Sequence, residues 1–188
     1  MRFPSEILKL RSCKSQIFLP YFNYFPFNMP TYSKTMDSPI GILKLTSDEH
    51  HLKSISFDAE IMEDTPELPE ILKNAQKQLE EYFLGNRRQF DLPLDPDGTA
   101  FQHKTWKQLS EVTYGSTKSY IEIARAMDSE SSSRAVGMAN GRNPIPVIIP
   151  CHRIIGHDGK LTGYAGGLER KKWLLLHEQQ NPGRDQLF

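Results

Sequence analysis

The stretch from Leu68 to Leu84 constrains the fold of the first half of the chain more than any other. It reads LPEILKNAQKQLEEYFL, and its apolar residues recur at helical spacing: Leu68, Ile71, Leu72, Ala75, Leu79, Tyr82 and Phe83. This spacing places them on one face of an amphipathic helix. Gly85 follows directly and is a typical helix stop. A helix with one apolar face needs a layer to pack against.

Three short runs upstream of this helix supply that layer. From Thr31 the chain reads TYSKTMD, ILKLTSD and LKSISF, with turn-like breaks at 38–41 and 49–51. Two breaks between three largely alternating runs predict an antiparallel three-stranded meander. A sheet with one face covered by a helix is a small α+β unit. The Pro- and Asp-rich segment 91–98, DLPLDPDG, is predicted to be the linker after it.

The second half of the chain is predicted to be helical. Apolar spacing indicates four helices there, over 101–112, 120–127, 131–139 and 168–179. Two short helices joined by a tight turn are typical of a helix-turn-helix, although many helical hairpins share the pattern. We therefore expect an α+β domain over 31–92 and a helical domain over 98–180. Residues 1–30 are interpreted as a disordered or non-native extension.

Composition excludes several classes of protein. No apolar stretch approaches the length of a membrane span, so we expect a soluble protein without membrane contact. The two cysteines, Cys13 and Cys151, are far apart and show no CxxC spacing. This argues against a disulfide framework and against a structural zinc site. A reducing compartment fits best, which is the cytoplasm, or the nucleus in a eukaryote.

Charge is spread unevenly along a chain that is neutral overall. Residues 1–100 carry 11 Lys and Arg against 15 Asp and Glu, whereas residues 101–188 carry 12 against 8, a net charge of +4. The C-terminal half is therefore the better candidate to bind an anion. An excess of this size is also common on an ordinary solvated face.

Residues 145–154, IPVIIPCHRI, place one cysteine at the end of a short β-branched run. The run is predicted to be a buried strand or extended segment that ends at Pro150. A lone cysteine is most often a small buried hydrophobe. Here His152 and Arg153 follow directly, and cationic neighbours depress the pKa of a cysteine. The segment therefore predicts that Cys151 is a reactive thiol.

A reactive thiol needs a base, and the base needs an orienting group. Side chains of adjacent extended residues point to opposite faces, so His152 would act on Cys151 through a water, or another histidine would act instead. Glu178 lies near the end of the last predicted helix, where we expect it to be exposed. Its carboxylate could fix the tautomer of the imidazole.

Several longer strings place the chain in a recognisable context. They are SSRAVGMANGRNPIPVIIPCHRIIGHDGKLTGYAGGLERKKWLLLHE, FQHKTW, YGSTKSYIEIARAM and SPIGILKL. Together they closely resemble the O6-alkylguanine-DNA alkyltransferases, also called methylated-DNA–protein-cysteine methyltransferases. The resemblance runs from Ser38 to Glu178 and is densest over 134–178. It implies an α+β protein with a ribonuclease H-like N-terminal domain and a winged-helix-like C-terminal domain that carries a helix-turn-helix.

The resemblance also implies catalytic roles for matching residues. Cys151 is implied to be the alkyl acceptor, and His152 and Glu178 to belong to a Cys–water–His–Glu relay that generates the thiolate. Asn143 is implied to be a hinge between the DNA-binding helices and the active-site segment. Tyr120 is implied to crowd the target phosphate and to donate a proton to the departing guanine.

Other matching residues are implied to contact DNA or the damaged base. Arg134 is implied to enter the duplex where the base leaves, and the small Ala135 and Gly137 let its helix lie close in a narrow groove. Arg153 is expected to be a further DNA contact. The pocket for the flipped base is implied to include Pro146, Tyr164 and Ala165.

The implied activity is direct, stoichiometric reversal of O6-alkylguanine in DNA, with O4-alkylthymine left open as a second substrate. The implied partner is double-stranded DNA bearing alkylated guanine, bound by a monomer. No cofactor is implied, because the lesion itself is the alkyl donor, and no metal is expected.

One departure from the family pattern precedes Arg134, where Asp128 and Glu130 stand among serines. These acids either cap the following helix or repel phosphates.

Three other functions stay open on the residues alone. A non-catalytic reader of alkylated DNA would lack the acceptor cysteine, and Cys151 is present. A cysteine hydrolase built on Cys151, His152 and Glu178 would turn over esters or amides, but would leave the Arg134 helix without a purpose. A helix-turn-helix regulator would need a specific operator sequence.

Overall fold

The structure is a computed structural model that describes residues 30–57, 59–60, 67–127 and 132–181. The predicted N-terminal extension lies outside the described residues except for Pro30. The acidic pair Asp128 and Glu130 also lies outside them. Within the described ranges, no helix is long and apolar enough to cross a membrane.

The first layer is the predicted meander. Strands β1 (Tyr32–Met36), β2 (Leu43–Ser47) and β3 (Leu52–Phe57) form one antiparallel sheet in the order β1-β2-β3. Alternate residues of β2 are buried, which leaves the other face of this strand half-exposed. The prediction of a three-stranded antiparallel sheet is confirmed.

Helix α1 (Glu70–Phe83) covers this sheet, as the apolar spacing predicts. Its buried residues are Ile71, Leu72, Ala75, Leu79 and Tyr82. Gly85, two residues beyond the end of the helix, adopts the left-handed φ of +76° and donates its N–H to the carbonyl of Tyr82 over 2.9 Å. The sheet and helix therefore form the predicted α+β unit.

The segment predicted to be a linker is held against the sheet. The N–H of Leu52 donates to the carbonyl of Pro93 over 2.9 Å, and the N–H of Asp95 donates to the carbonyl of Leu52 over 3.1 Å. Leu94 lies opposite Leu52 in a parallel bridge and packs against the core. Residues 93–95 therefore extend the first layer, and the domain boundaries stay a prediction.

Four helices follow, close to the predicted ranges. They are α2 (Ala100–Ser110), α3 (Tyr120–Ala126), α4 (Ser133–Gly141) and α5 (Leu168–Gln180). Two short strands that were not predicted, β4 (Lys118–Ser119) and β5 (Ile154–Ile155), pair in parallel. Helices α2, α3 and α4 pack on one another, and α5 contacts the turn that holds Cys151. This is the winged-helix-like arrangement of the second domain.

Side-chain caps determine where three of these helices begin. Thr99 and Gln102 form a capping box on α2, and Ser119 and Glu122 form another on α3. The side chain of Ser132 accepts the N–H of Ala135 over 3.2 Å and caps α4.

The prediction of a buried strand or extended segment before Cys151 is confirmed for the burial and wrong for the backbone conformation. Residues 144–145 form a bend and residues 147–148 a turn, and Val147 has a φ of +74°, an unusual conformation for a β-branched residue. Prolines at 144, 146 and 150 remove the backbone donors that a strand would use. The side chain of Asn143 holds the segment instead, because it donates to the carbonyl of Ile149 over 2.8 Å and accepts the N–H of Ile145 over 3.0 Å.

Candidate active site

Cys151 opens a single 3₁₀ turn, Cys151–Arg153, directly after these proline-rich turns. Its backbone N–H donates to the carbonyl of Ile149 over 2.8 Å. The side chain is only 3% exposed, and it is the free cysteine of the described residues. In a 3₁₀ turn successive side chains are about 120° apart. Cys151 and His152 therefore do not point to opposite faces, as two extended residues would.

The surroundings of Cys151 favour the protonated thiol at neutral pH. Burial raises its pKa to about 11, although a hydrogen bond with Asn143 and the charge of Lys171 act in the opposite direction. The prediction that cationic neighbours depress this pKa is therefore wrong for the resting protein. The guanidinium of Arg153 is paired elsewhere, and burial keeps His152 neutral.

His152 is fully buried, follows Cys151 directly in the chain and contacts a carboxylate. Its Nε2 is 2.8 Å from Oε1 of Glu178, so Nε2 carries the hydrogen and Nδ1 is left as an acceptor. Within the described part of the chain, Nδ1 has no hydrogen-bond partner. Burial lowers the pKa of His152 against the opposing effect of Glu178. The imidazole is therefore an available base.

Glu178 is 1% exposed, so the expectation of an exposed carboxylate is wrong. Its oxygens accept hydrogen bonds from four residues: His152, Tyr82 (2.9 Å), the N–H of Gly115 (3.0 Å) and Arg153 (Nε at 3.0 Å, Nη2 at 2.9 Å). Burial alone would raise the pKa of Glu178, but His152 and Arg153 hold it well below its usual range. The carboxylate is therefore ionised.

Arg153 is turned inward. Its side chain is 7% exposed, and besides pairing with Glu178 it donates Nη1 to the carbonyl of Val112 over 2.6 Å. Its guanidinium also lies 5.6 Å from the centre of the Tyr114 ring. The sequence-based assignment of Arg153 as a DNA contact is therefore corrected, because these donors are buried and already used.

Lys171 is a buried residue that the sequence reasoning missed. Its Nζ donates to the carbonyls of Ile154 (2.5 Å) and Thr162 (2.8 Å), and burial lowers its pKa to about 8. Lys171, Leu174 and Glu178 recur at helical spacing and are all buried. A charged residue on the apolar face of a helix is the sequence signal that could have pointed to it.

A small outer groove lies between α3, α4 and the loop after β5. It encloses about 270 Å³ and is lined by Tyr120, Ile121, Ser133, Arg134, Gly137 and His157. Arg134 is exposed at the start of α4, and Ala135 is half-buried beside it. A Cβ on Gly137 would lie 3.7 Å from the ring of Tyr120, so the two elements approach closely here.

Tyr120 lines this groove and also responds electrostatically to Cys151. Burial raises its pKa, opposed by a hydrogen bond with Thr162, and the charge of a Cys151 thiolate raises it further. The hydroxyl is therefore protonated at neutral pH and can act as an acid.

The three residues expected in a base pocket are placed differently from one another. Tyr164 packs on Phe57, with ring centres 6.0 Å apart, and its hydroxyl is buried without a partner in the described ranges. Burial and the charge of Cys151 raise the pKa of Tyr164 well above its usual value. Ala165 is exposed, and Pro146 is buried in the turn before Cys151.

Comparison with known proteins supports a single family over nearly all of the described chain. Residues 31–96 match the ribonuclease-like domain of 6-O-methylguanine DNA methyltransferase, and residues 100–180 match its DNA binding domain. The chain belongs to the 6-O-methylguanine DNA methyltransferase family. Among the described residues of this family member, no three His, Cys, Asp or Glu side chains are grouped so that they could hold a metal ion.

Relatives in this family cover the same span. A methylated-DNA–protein-cysteine methyltransferase of Methanosarcina acetivorans is 46% identical over 152 residues, which is 78% of this chain and 97% of the relative. The constitutive enzyme of Bacillus subtilis is 40% identical over 158 residues, 78% of this chain and 93% of the relative.

Solved structures show the same fold. The O6-methylguanine methyltransferase of Mycobacterium tuberculosis is 43% identical, has a TM-score of 0.74, and covers 83% of this chain and 97% of its own. A structure of the Mycobacterium tuberculosis protein in complex with DNA has a TM-score of 0.72 and 44% identity, and covers 81% of this chain and 96% of its own.

Proposed function

We propose that this chain repairs DNA directly, by transferring the alkyl group from O6 of guanine to Sγ of Cys151. The observation that carries the proposal is the buried contact between Glu178 and His152, the residue that follows Cys151. It occurs in a chain of the 6-O-methylguanine DNA methyltransferase family. Such a set of groups can generate a thiolate from a thiol that is protonated at rest.

The transfer proceeds as a displacement at the alkyl carbon. Nδ1 of His152 takes the proton of the thiol through a water, and the ionised Glu178 stabilises the imidazolium that forms. The sulfur forms a bond to the alkyl carbon while the carbon–O6 bond breaks. The departing guanine takes a proton from the hydroxyl of Tyr120, so the base leaves neutral. Asn143 holds Cys151 through the turn that it braces.

The partner is double-stranded DNA, from which the damaged nucleotide must be extruded because O6 is buried in the stack. Arg134, exposed at the start of α4, fills the vacated space, with Ala135 and Gly137 permitting close approach to the groove. Tyr164, Pro146 and Ala165 line the site of the flipped base. The protein acts as a monomer, and the solved DNA complex of the Mycobacterium tuberculosis relative supports DNA as the partner.

The reaction ends in a thioether. A thioester has a carbonyl that water can attack, but a thioether has neither that carbonyl nor a good leaving group. Each chain is therefore spent after one transfer, unlike a cysteine hydrolase, which recovers its thiol.

Titration of a known amount of protein with excess duplex containing O6-methylguanine tests the proposal. Intact mass spectrometry should show one added methyl group per chain, and peptide mapping should place it on Cys151 and not on Cys13. The variant Cys151→Ser should bind the duplex but gain no mass. Repair that continues beyond one lesion per chain, or a methyl group on Cys13, would overturn the mechanism.

A further inference from the structure

One side chain of the N-terminal layer reaches the catalytic carboxylate. Tyr82 belongs to α1, is fully buried, and donates its hydroxyl to Oε1 of Glu178 over 2.9 Å. The carbonyl of Tyr82 is 2.8 Å from Nε2 of His177, the residue before Glu178 in α5. Two consecutive residues of α5 therefore bind both polar ends of Tyr82.

Ring packing alone does not require that hydroxyl. The Tyr82 ring contacts those of Phe90 (5.5 Å between centres) and Tyr114 (6.1 Å), and a phenylalanine could make the same contacts. Tyr114 provides the comparison, because its hydroxyl is buried without a hydrogen-bond partner among the described residues. Of these two neighbouring tyrosines, Tyr82 alone donates to the relay carboxylate.

We propose that Tyr82 is a positioning residue for alkyl transfer, contributed by the N-terminal domain to the relay of the C-terminal domain. This inference rests on the proposed function. The hydroxyl and His152 donate to the same oxygen of Glu178, Gly115 donates to the other oxygen, and Arg153 donates to both. With donors on both oxygens, the carboxylate keeps one orientation toward the imidazole.

The hydroxyl also moderates the electrostatics of the relay. The charged groups that face His152 are Glu178, which raises its pKa, and Arg153 and Lys171, which lower it. A hydrogen bond from Tyr82 withdraws part of the negative charge from Oε1. Without it, Glu178 would act more strongly on the imidazole, and the pKa of His152 would rise.

The variant Tyr82→Phe tests the proposal, with Tyr114→Phe as the matched control. We expect Tyr82→Phe to slow single-turnover methyl transfer about tenfold at neutral pH, the rate equivalent of one hydrogen bond to a charged group. The acid limb of its pH–rate profile should move to higher pH, because His152 becomes protonated more easily. Affinity for undamaged duplex should not change. Tyr114→Phe should match the wild type in all three measurements.

Titration of the His152 ring by NMR gives a readout that does not depend on transfer. The midpoint should lie at higher pH in Tyr82→Phe than in the wild type and Tyr114→Phe. An unchanged midpoint together with an unchanged acid limb would overturn the proposal. A variant that differs from the wild type only by unfolding at a lower temperature would also overturn it, because Tyr82 would then have a purely structural role. Failure of the wild type to gain a methyl group would instead overturn the proposed function.

Discussion

The thiol of Cys151 combines a reactive position with an unreactive resting state. It is almost fully buried, and burial raises its pKa to about 11. At neutral pH few molecules therefore carry a thiolate at this position. The thiolate is the form of cysteine that reacts with common thiol reagents. In the proposed mechanism, His152 and Glu178 therefore have to remove this proton before the sulfur can react.

This state predicts slow modification of Cys151 by iodoacetamide at neutral pH. A Cys13→Ser variant isolates the signal, and mass spectrometry follows the added group. The native variant should react at least about tenfold more slowly than the same chain in denaturant, where the pKa returns to its ordinary value. Equal rates in the two states would show that the native thiol is neither buried nor protonated as described.

At Tyr120 the hydroxyl, and not the ring, is assigned to the chemistry. Tyr120→Phe keeps the ring beside Gly137 and removes only the acid. We expect transfer to slow by about a hundredfold, within the usual range for general acid catalysis, while affinity for the duplex is maintained. Stopped-flow transfer and fluorescence anisotropy measure the two separately. An unchanged rate would exclude Tyr120 as the proton donor.

At the scale of elements, α4 presents one exposed cation to the groove at its start and another just beyond its end. Arg134 lines the groove, whereas Arg142 follows the helix and is exposed. Arg134→Ala should slow repair of duplex DNA by at least about tenfold, because the extruded state loses the side chain that fills its gap. Reaction with a free O6-alkylguanine base should not change.

The matched variant Arg142→Ala separates this role from a general loss of positive charge. We expect it to weaken duplex binding modestly, with a smaller salt dependence, and to leave the transfer rate at saturating DNA unchanged. Equal losses on duplex and free base in Arg134→Ala, or equal losses in the two arginine variants, would contradict the assignment of Arg134.

Helix α5 shows how one element joins the two domains through the site. Three buried residues of this helix make these contacts. Lys171 donates to a carbonyl of the loop after β5, His177 contacts the carbonyl of Tyr82, and Glu178 contacts His152. Buried charged groups are stable only when they are paired or hydrogen-bonded. The proposed relay therefore depends on the packing of α5.

At the scale of the whole molecule, the relay makes stability depend on pH. The folded pKa of His152 is lowered from 6.5, so below about pH 6.5 the unfolded chain binds a proton that the folded chain does not. The folded pKa of Glu178 is also lowered, from 4.5, so its contribution is present above that pH and is lost on further acidification. Both groups make the protein less stable as pH falls.

Thermal unfolding between about pH 7.5 and 4 measures this linkage. We expect Tm to fall from about pH 6.5 downward, and His152→Gln to reduce the slope between about pH 6.5 and 5 because this ring no longer takes up a proton on unfolding. Cys151→Ser should keep the wild-type slope, since its group does not titrate there. A Tm that is constant over this range would contradict the buried, neutral state of His152.

The elements of the fold could be predicted from local patterns. The alternating runs before α1, the apolar spacing of α1 and the positions of α2 to α5 follow from short-range periodicity, which burial of one face imposes. The pairing of residues 93–95 with Leu52 could not be predicted, because Pro and Asp indicate a linker. The two segments are also far apart in the sequence, and a local pattern carries no information about a distant partner.

The sequence by itself determined the meander and the helices, because these depend on residue type and near neighbours, and its resemblance to a family identified Cys151 as the alkyl acceptor. Only the tertiary structure decided the state of the site. The prolines and Asn143 replaced the expected strand with turns, Glu178 was drawn into the core, and Arg153 turned inward to pair with it. The pKa of a buried group depends on which distant charges and donors face it, and packing brings those together.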